Sequence, residues 1–319
     1  MPPRVRVPDG FGYRPFTLSD AAAIGLSPRV VRGSRFRRVF RGVFVRRDVI
    51  DTPLLRFDGA RRLTSTDVWA TCHTAAAVYD VPVPPTTDTH VGLPPGFTRP
   101  RGLPGLIAHR HRTQPETRVV GGRRVATPED TFIQLAAYLD LVDLVILGDR
   151  LVLLGWTTRD RLVEAAAQSR GRAARGARRA AALVRERVDS PMETRVRLLI
   201  VLSGLPEPET GVHAFDADGG WIATPDLSYP PQRIALEYDG ADHTKPRQRH
   251  KDNRRREAYQ REGWRLIVIT GRDVFAFPAQ MLVRVWTALR ERCHPQTPSD
   301  LADDWRQYFD PHVRREAAS

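Results

Sequence analysis

Three carboxylates late in the chain, Asp226, Glu237 and Asp239, have the types and spacing to hold a divalent cation. Asp226 follows Pro225, and Glu237 closes the apolar run Ile234-Ala235-Leu236, so both belong to extended segments. Ser228 to Gln232, with two prolines, supplies the turn between them. A hairpin centred near residues 230–231 sets Asp226 opposite Ala235, with Glu237 its diagonal neighbour on the same face. Asp239 comes next on that face, because side chains alternate along a strand. Acids grouped this way repel one another unless something positive sits among them, and hard oxygen donors in that number suit Mg2+ or Mn2+. The bland alternative is an exposed hairpin face, or acids paired with Arg. Against it, Ile234-Ala235-Leu236 reads as a buried strand, which puts the acids at the end of a core element.

The elements that must position these acids begin at Ser190. Ser190 is a natural N-cap, Pro191 sits at N1 and Glu193 at N3, the pattern of a capping box. The helix then carries Met192, Val196, Leu199 and Leu202 or Ser203 along one stripe. Glu193 lies beside that stripe, so it serves as a cap or points along the sheet on which the helix packs. Extended segments follow around 210–215, 221–227 and 233–239. Trp264 to Ile269 reads as a strand returning to the core, Asp273 to Glu291 as a closing helix, and the tail beyond Cys293 as a polar peripheral helix. Between them lie Lys245, Arg247, Arg249, Lys251, Arg254, Arg255 and Arg256, opposed by Asp252. They form either a phosphate-contacting surface or a solvated helix.

Three stretches, SPMETRVRLL, PDLSYPPQRIALEYDGADH and HKDNRRREAYQREGWRLIVIT, resemble in matching order the compact nucleases related to very-short-patch-repair (Vsr) endonucleases. That resemblance covers about a hundred residues. It implies a PD-(D/E)-x-K fold in which Glu193, Asp226 and Glu237 hold the catalytic Mg2+ or Mn2+. The motif Lys position is taken by Asp239. In the Vsr-like branch a nearby His assists proton transfer, and His243 is the matching residue. The implied chemistry is metal-assisted phosphodiester hydrolysis, with neutral His243 able to accept a proton near pH 7.

At the other end, residues 1–50 carry eleven Arg against three Asp. Ser19 to Gly25 and Ser27 to Arg32 read as two short helices, and Phe36 to Arg47 as a basic hairpin around Arg41-Gly42. Helix, turn, helix, hairpin is the outline of a winged helix-turn-helix, with the second helix in the major groove and the wing on phosphates. Arg29, Arg32, Arg37, Arg38 and Arg41 are the expected DNA contacts, joined from the C-terminal region by Lys251 and Arg254. A basic, solvated element without a nucleic-acid partner is the alternative. The stretch FTLSDAAAIGLSPRVVRGSRFRRVFRGVFV also resembles the N-terminal domain of AbiEi-type antitoxins, which are transcriptional repressors.

Residues 55–150 say little about chemistry. Thr64 to Val78 is expected to be a helix, Thr89 to Val91 and Leu106 to His109 extended, and Pro128 to Leu139 helical. His109 and His111 share a strand face, but no ligand follows at metal spacing, so an exposed edge strand is the expectation. The Arg among alanines between 160 and 188 mark either a solvated helix face or a phosphate-tracking linker.

Composition frames these readings. A net charge of +13 points to a polyanionic partner or an anionic membrane surface. Two cysteines, Cys72 and Cys293, are too few and too far apart for a disulfide framework or a zinc cluster of their own. No apolar run is long enough to span a bilayer, so a soluble, cytoplasmic protein is expected. The sequence therefore predicts a multi-domain α/β protein. Residues 1–50 are a winged helix-turn-helix, 55–150 an α/β middle domain and 151–188 Arg/Ala-rich connecting helices. Residues 189–292 form a restriction-endonuclease-like mixed sheet flanked by helices, and 293–319 a polar tail. The expected activity is Mg2+-dependent cleavage of DNA. The rival is an antitoxin-like DNA-binding regulator whose nuclease fold has lost turnover, and any toxin or repair partner is left open.

Overall fold

The computed structural model describes residues 7–64, 67–97, 103–111, 113–216, 218–240 and 256–310. The architecture is mixed α/β, with helices and several separate sheets. The chain divides into two compact units, Met1–Tyr138 with Ser169–Ala173 and Leu139–Gln168 with Ala174–Ser319. Among the described residues no helix is long and apolar enough to cross a membrane.

The first unit opens with two short helices, Leu18–Ala22 and Pro28–Val31. Thr17 starts the first: its hydroxyl accepts the Asp20 N–H, and the Asp20 carboxylate accepts the Thr17 N–H at 2.7 Å. Strands Phe36–Phe40 and Val43–Arg46 then pair antiparallel, and Gly42 takes the left-handed conformation in their two-residue turn. Phe16–Thr17 adds a third strand beside Val43–Arg46. Phe16, Ala21, Leu26, Val31, Phe36 and Phe44 close a small core beneath these elements.

The rest of this unit is built on a five-stranded sheet in the order Leu106–Arg110, Thr89–Leu93, Trp69–Ala70, Arg123–Ala126, Thr117–Val120. Here the structure corrects the expected helix over 64–78. Trp69–Ala70 is a strand hydrogen-bonded on both sides, and only Cys72–Val78 is helical. Tertiary context overrides helix propensity here, because Trp69 becomes fully buried in the centre of the sheet. Gly92 makes that burial feasible. A Cβ there would sit 2.1 Å from Trp69 Cε2, so only glycine lets the strand pass beneath the indole.

In the second unit, helices Leu141–Leu153 and Pro191–Leu202 pack together around a charge. Arg197 is wholly buried and pairs at 2.9 Å with both Asp149 and Glu207, and it donates to the Leu183 carbonyl. Asp149 also accepts the Arg185 N–H and the Thr194 hydroxyl. The Leu141–Leu153 helix therefore belongs to this unit and not with the preceding sheet. The pair also fixes the rotation of Pro191–Leu202, and Glu193 lies one turn before Arg197 on the same face.

The four-stranded sheet of this unit runs in the order Arg265–Thr270, Ile234–Asp239, Leu227–Tyr229, Glu209–Thr210. Its first pair is parallel and the others antiparallel. The extended segment expected over 221–227 is two elements. Trp221–Ala223 pairs with Ala214–Phe215 in a separate ribbon, and Leu227–Tyr229 joins the main sheet. The closing helix is likewise two, Gly271–Phe275 and Pro278–Glu291. Pro278 at the start of the second forces Phe277 out of helical backbone, which breaks the run. Beyond Cys293 the described chain adds one turn of helix, Arg306–Phe309.

Candidate functional site

The hairpin carrying the acids is in a different register from the one the sequence predicts. Ser228, not Asp226, stands opposite Ala235, and Leu227 stands opposite Leu236. Asp226 is the residue just before this ladder, in a bend outside the strand, so the diagonal pairing with Glu237 that the sequence predicts is not formed as expected. The reason is the turn, which is confined to Pro230–Gln232, with Arg233 in the left-handed region, so the strands extend through Tyr229 and Ile234.

Both carboxylates are half-buried and held. Asp226 Oδ2 accepts the Tyr238 N–H at 2.7 Å, and Glu237 Oε1 accepts the Tyr259 hydroxyl at 3.3 Å. Tyr259 itself is completely buried beside Ala235 and Trp264. Asp239 lies two residues beyond Glu237, in register with Thr270 of the parallel strand.

Glu193 reaches the same neighbourhood from the Pro191–Leu202 helix. Ser190 caps that helix, accepting the Glu193 N–H at 3.2 Å. The reciprocal half of the expected capping box is redirected: Glu193 Oε2 accepts the N–H of Asp189, one residue before the cap, at 2.9 Å. The side chain is buried, and burial pushes its carboxyl up from 4.5 to about 7. The negative charges of Asp226 and Asp189 add to that rise, while the hydrogen bonds from Asp189 N–H and Ser190 oppose it. Glu193 and Asp226 thus feel each other electrostatically, and Asp226 is tied to the backbone N–H of Tyr238, next to Glu237. An all-oxygen donor set of this kind fits a hard divalent ion better than a soft one.

His243, Lys251 and Arg254 lie outside the described residues. At the N-terminus, Arg29, Arg32, Arg38 and Arg41 are exposed and make no ion pair with any described residue. Arg37 is committed elsewhere, with Nη2 on the Val49 carbonyl at 3.0 Å and Asp51 at 3.8 Å. The second helix of this segment is a single turn, so Arg29 is the one basic side chain it contains.

A second constellation escaped the sequence. Among the described residues, the one group of three or more ligand atoms within 4.8 Å of one another is Cys72, His90 and His109. Glu193, Asp226 and Glu237 share a neighbourhood without closing to that spacing. His109 does occupy an edge strand, as expected, but it is half-buried instead of exposed, and its partners precede it in the chain instead of following it. His90 is buried, and burial together with the neighbouring His109 and His73 drives its imidazole down to about 4. Burial pushes the Cys72 thiol up to about 12. No local motif announces this group; His90 lies in a strand whose five residues are all buried, and Cys72 in an apolar, alanine-rich helix.

No family model matches the sequence. Two proteins of Mycobacterium tuberculosis are similar to it: Uncharacterized protein MT2308 of strain CDC 1551 / Oshkosh and Uncharacterized protein Rv2248 of strain ATCC 25618 / H37Rv. Each is 30% identical over 234 residues, covering 70% of this chain and 84% of the relative. The chain belongs to the family of these two proteins.

Proposed function

We propose that this family member is a cytoplasmic DNA-binding protein whose C-terminal unit hydrolyses DNA phosphodiesters with a divalent metal, Mg2+ or Mn2+. The observation that carries this is the convergence of three carboxyls from separate elements. Glu193 is buried within electrostatic reach of Asp226, and the Asp226 carboxylate accepts the N–H of Tyr238, the residue next to Glu237. Nearby charge does not explain Glu193 away, because Arg197 on the same helix is already engaged by Asp149 and Glu207. A parallel strand pair extended by antiparallel strands and covered by helices supports a restriction-endonuclease-like arrangement.

Glu193, Asp226 and Glu237 would hold the ion, which when bound supplies an acidified water and charge neutralisation at the phosphate. The protein's own contribution is positioning. Tyr238 N–H fixes Asp226, Tyr259 fixes Glu237, and the Asp189 N–H holds the buried Glu193. Asp239 stands at the end of the same strand, and His243 is the proposed proton acceptor. In the N-terminal segment, exposed Arg29, Arg32, Arg38 and Arg41 support a winged helix-turn-helix that lies on phosphates, with Lys251 and Arg254 as further contacts.

A second reading is favoured by two specific observations: the acids do not close to ligand spacing, and Asp239 replaces the motif Lys. In that reading the protein is an antitoxin-like transcriptional regulator with an inactive nuclease fold. Incubation of the full chain with plasmid, single-stranded DNA and RNA, with and without Mg2+, separates the two. Chelator-sensitive cleavage of DNA supports hydrolysis. Duplex binding with no cleavage of any substrate supports the regulator.

A further inference from the structure

The first unit carries a second, chemically different constellation that the proposed hydrolysis does not use. His90 and His109 stand on neighbouring parallel strands, Thr89–Leu93 and Leu106–Arg110, in which His109 is in register with Gly92. Residues 90 and 92 share a face, so the two imidazoles lie two residues out of step on one side of the sheet. Their rings stack with centroids 5.2 Å apart, and His90 Nδ1 lies 3.0 Å from His109 Nε2. Cys72 arrives from the start of the Cys72–Val78 helix and sets its Sγ 3.7 Å from the same His109 Nε2. Gln134 anchors this cysteine from a fourth element, the helix Pro128–Leu135, its Oε1 accepting the Cys72 N–H at 3.1 Å. Cys72 and His90 are each only 2% exposed, so two of the three groups have almost no access to solvent.

These distances match the edges of a small coordination tetrahedron. With Zn–N near 2.0–2.1 Å and Zn–S near 2.3 Å, tetrahedral geometry separates two nitrogens by about 3.4 Å and sulfur from nitrogen by about 3.6 Å. The observed 3.0 and 3.7 Å lie close to both values. Without a metal the same packing yields a hydrogen bond between the two imidazoles and weak thiol contacts to His109 and Gln134. That is a poor return for burying a thiol and an imidazole in one spot. One thiolate with two imidazoles is a borderline-soft donor set, suited to zinc and unsuited to Mg2+.

We propose that Cys72, His90 and His109 bind a zinc ion, with water completing the tetrahedron. Binding forms one Zn–S and two Zn–N bonds, and the thiol proton leaves to solvent. The site lies within the first unit and is independent of the acids of the second. The ion ties the edge strand Leu106–Arg110 to its neighbour and to the helix that follows Trp69–Ala70.

The test is titration of the chelator-treated full chain with Co2+, following the thiolate-to-cobalt charge-transfer band, and with Zn2+ by competition. One equivalent per chain should develop the band. Cys72→Ser should abolish it and weaken zinc binding by more than about 100-fold, beyond the loss that removing an outer-sphere partner causes. His109→Gln, at a half-buried edge position, should weaken zinc comparably and serves as the readout if Cys72→Ser does not fold. Cys293→Ser should keep the band, because Cys293 is exposed and remote in sequence. A parent protein without a charge-transfer band, a band that survives Cys72→Ser, or a band lost only with Cys293→Ser would overturn the site.

Discussion

Glu193→Gln in the metal-free protein removes the cost of burying an ionised carboxylate, to which Asp226 and Asp189 add. Gln keeps the size of the side chain and an oxygen to accept the Asp189 N–H, but it removes the charge. In the parent, the carboxyl ionises at 4.5 when unfolded and at about 7 when folded. The folded state therefore holds the proton more tightly. Its stabilising contribution is complete below pH 4.5 and is lost as pH rises through about 7. At roughly 1.4 kcal/mol for each pH unit separating the two values, the ionised form costs the fold up to about 3 kcal/mol at pH 8. Gln also loses hydration on burial, so the expected net gain is about 1–3 kcal/mol at pH 8 and close to zero at pH 4.5. In a unit of this size each kcal/mol is worth roughly 2–4 °C of melting temperature. Thermal and urea unfolding at pH 4.5 and 8, both in EDTA, reads this directly. If Glu193→Gln is instead less stable than the parent at pH 8, the ionised carboxylate is held by a cation of the protein and burial does not set its pKa.

Other perturbations follow from the same geometry. Replacing Arg29, Arg32, Arg38 and Arg41 with Ala should lower the slope of log binding constant against log salt by roughly 3–4 on duplex DNA, at about 0.9 per phosphate contact. An unchanged slope removes these residues from the interface. Arg197→Met strands Asp149 in the interior and should cost about 3–5 kcal/mol. Adding Asp149→Leu should recover much of that loss in chemical denaturation, and a double variant no better than the single one contradicts the ion-pair account. Gly92→Ala drives a methyl into the Trp69 indole and should cost at least about 1–3 kcal/mol of stability. A variant as stable as the parent shows that Trp69 can move.

Local chemistry was legible where it acted alone. Ser190-Pro191 announces its helix, and the hairpin around Arg41-Gly42 follows from a glycine that can take positive φ. The acids at the end of Ile234–Asp239 were visible as a group because a buried run precedes them. Their register was not, since it depends on a turn confined to Pro230–Gln232 with Arg233 left-handed, a conformation that Arg rarely adopts. Trp69–Ala70 looked helical because its strand partners lie some twenty and fifty residues away. For the same reason the Cys72–His90–His109 group was invisible: two strands and a helix meet there, and no spacing along the chain encodes the meeting. The position of Leu141–Leu153 likewise rests on Asp149 finding Arg197 far along the sequence.

The central claim is that Glu193, Asp226 and Glu237 together bind a hard divalent cation. Binding of Mn2+ to the full chain, measured by electron paramagnetic resonance for the parent, Asp226→Asn and Cys72→Ser, tests it most directly. The account predicts one Mn2+ site in the parent, lost or weakened at least about tenfold in Asp226→Asn and unchanged in Cys72→Ser, because thiolate–imidazole sites disfavour Mn2+. Mn2+ binding that is absent from the parent, or indifferent to Asp226→Asn, would contradict it.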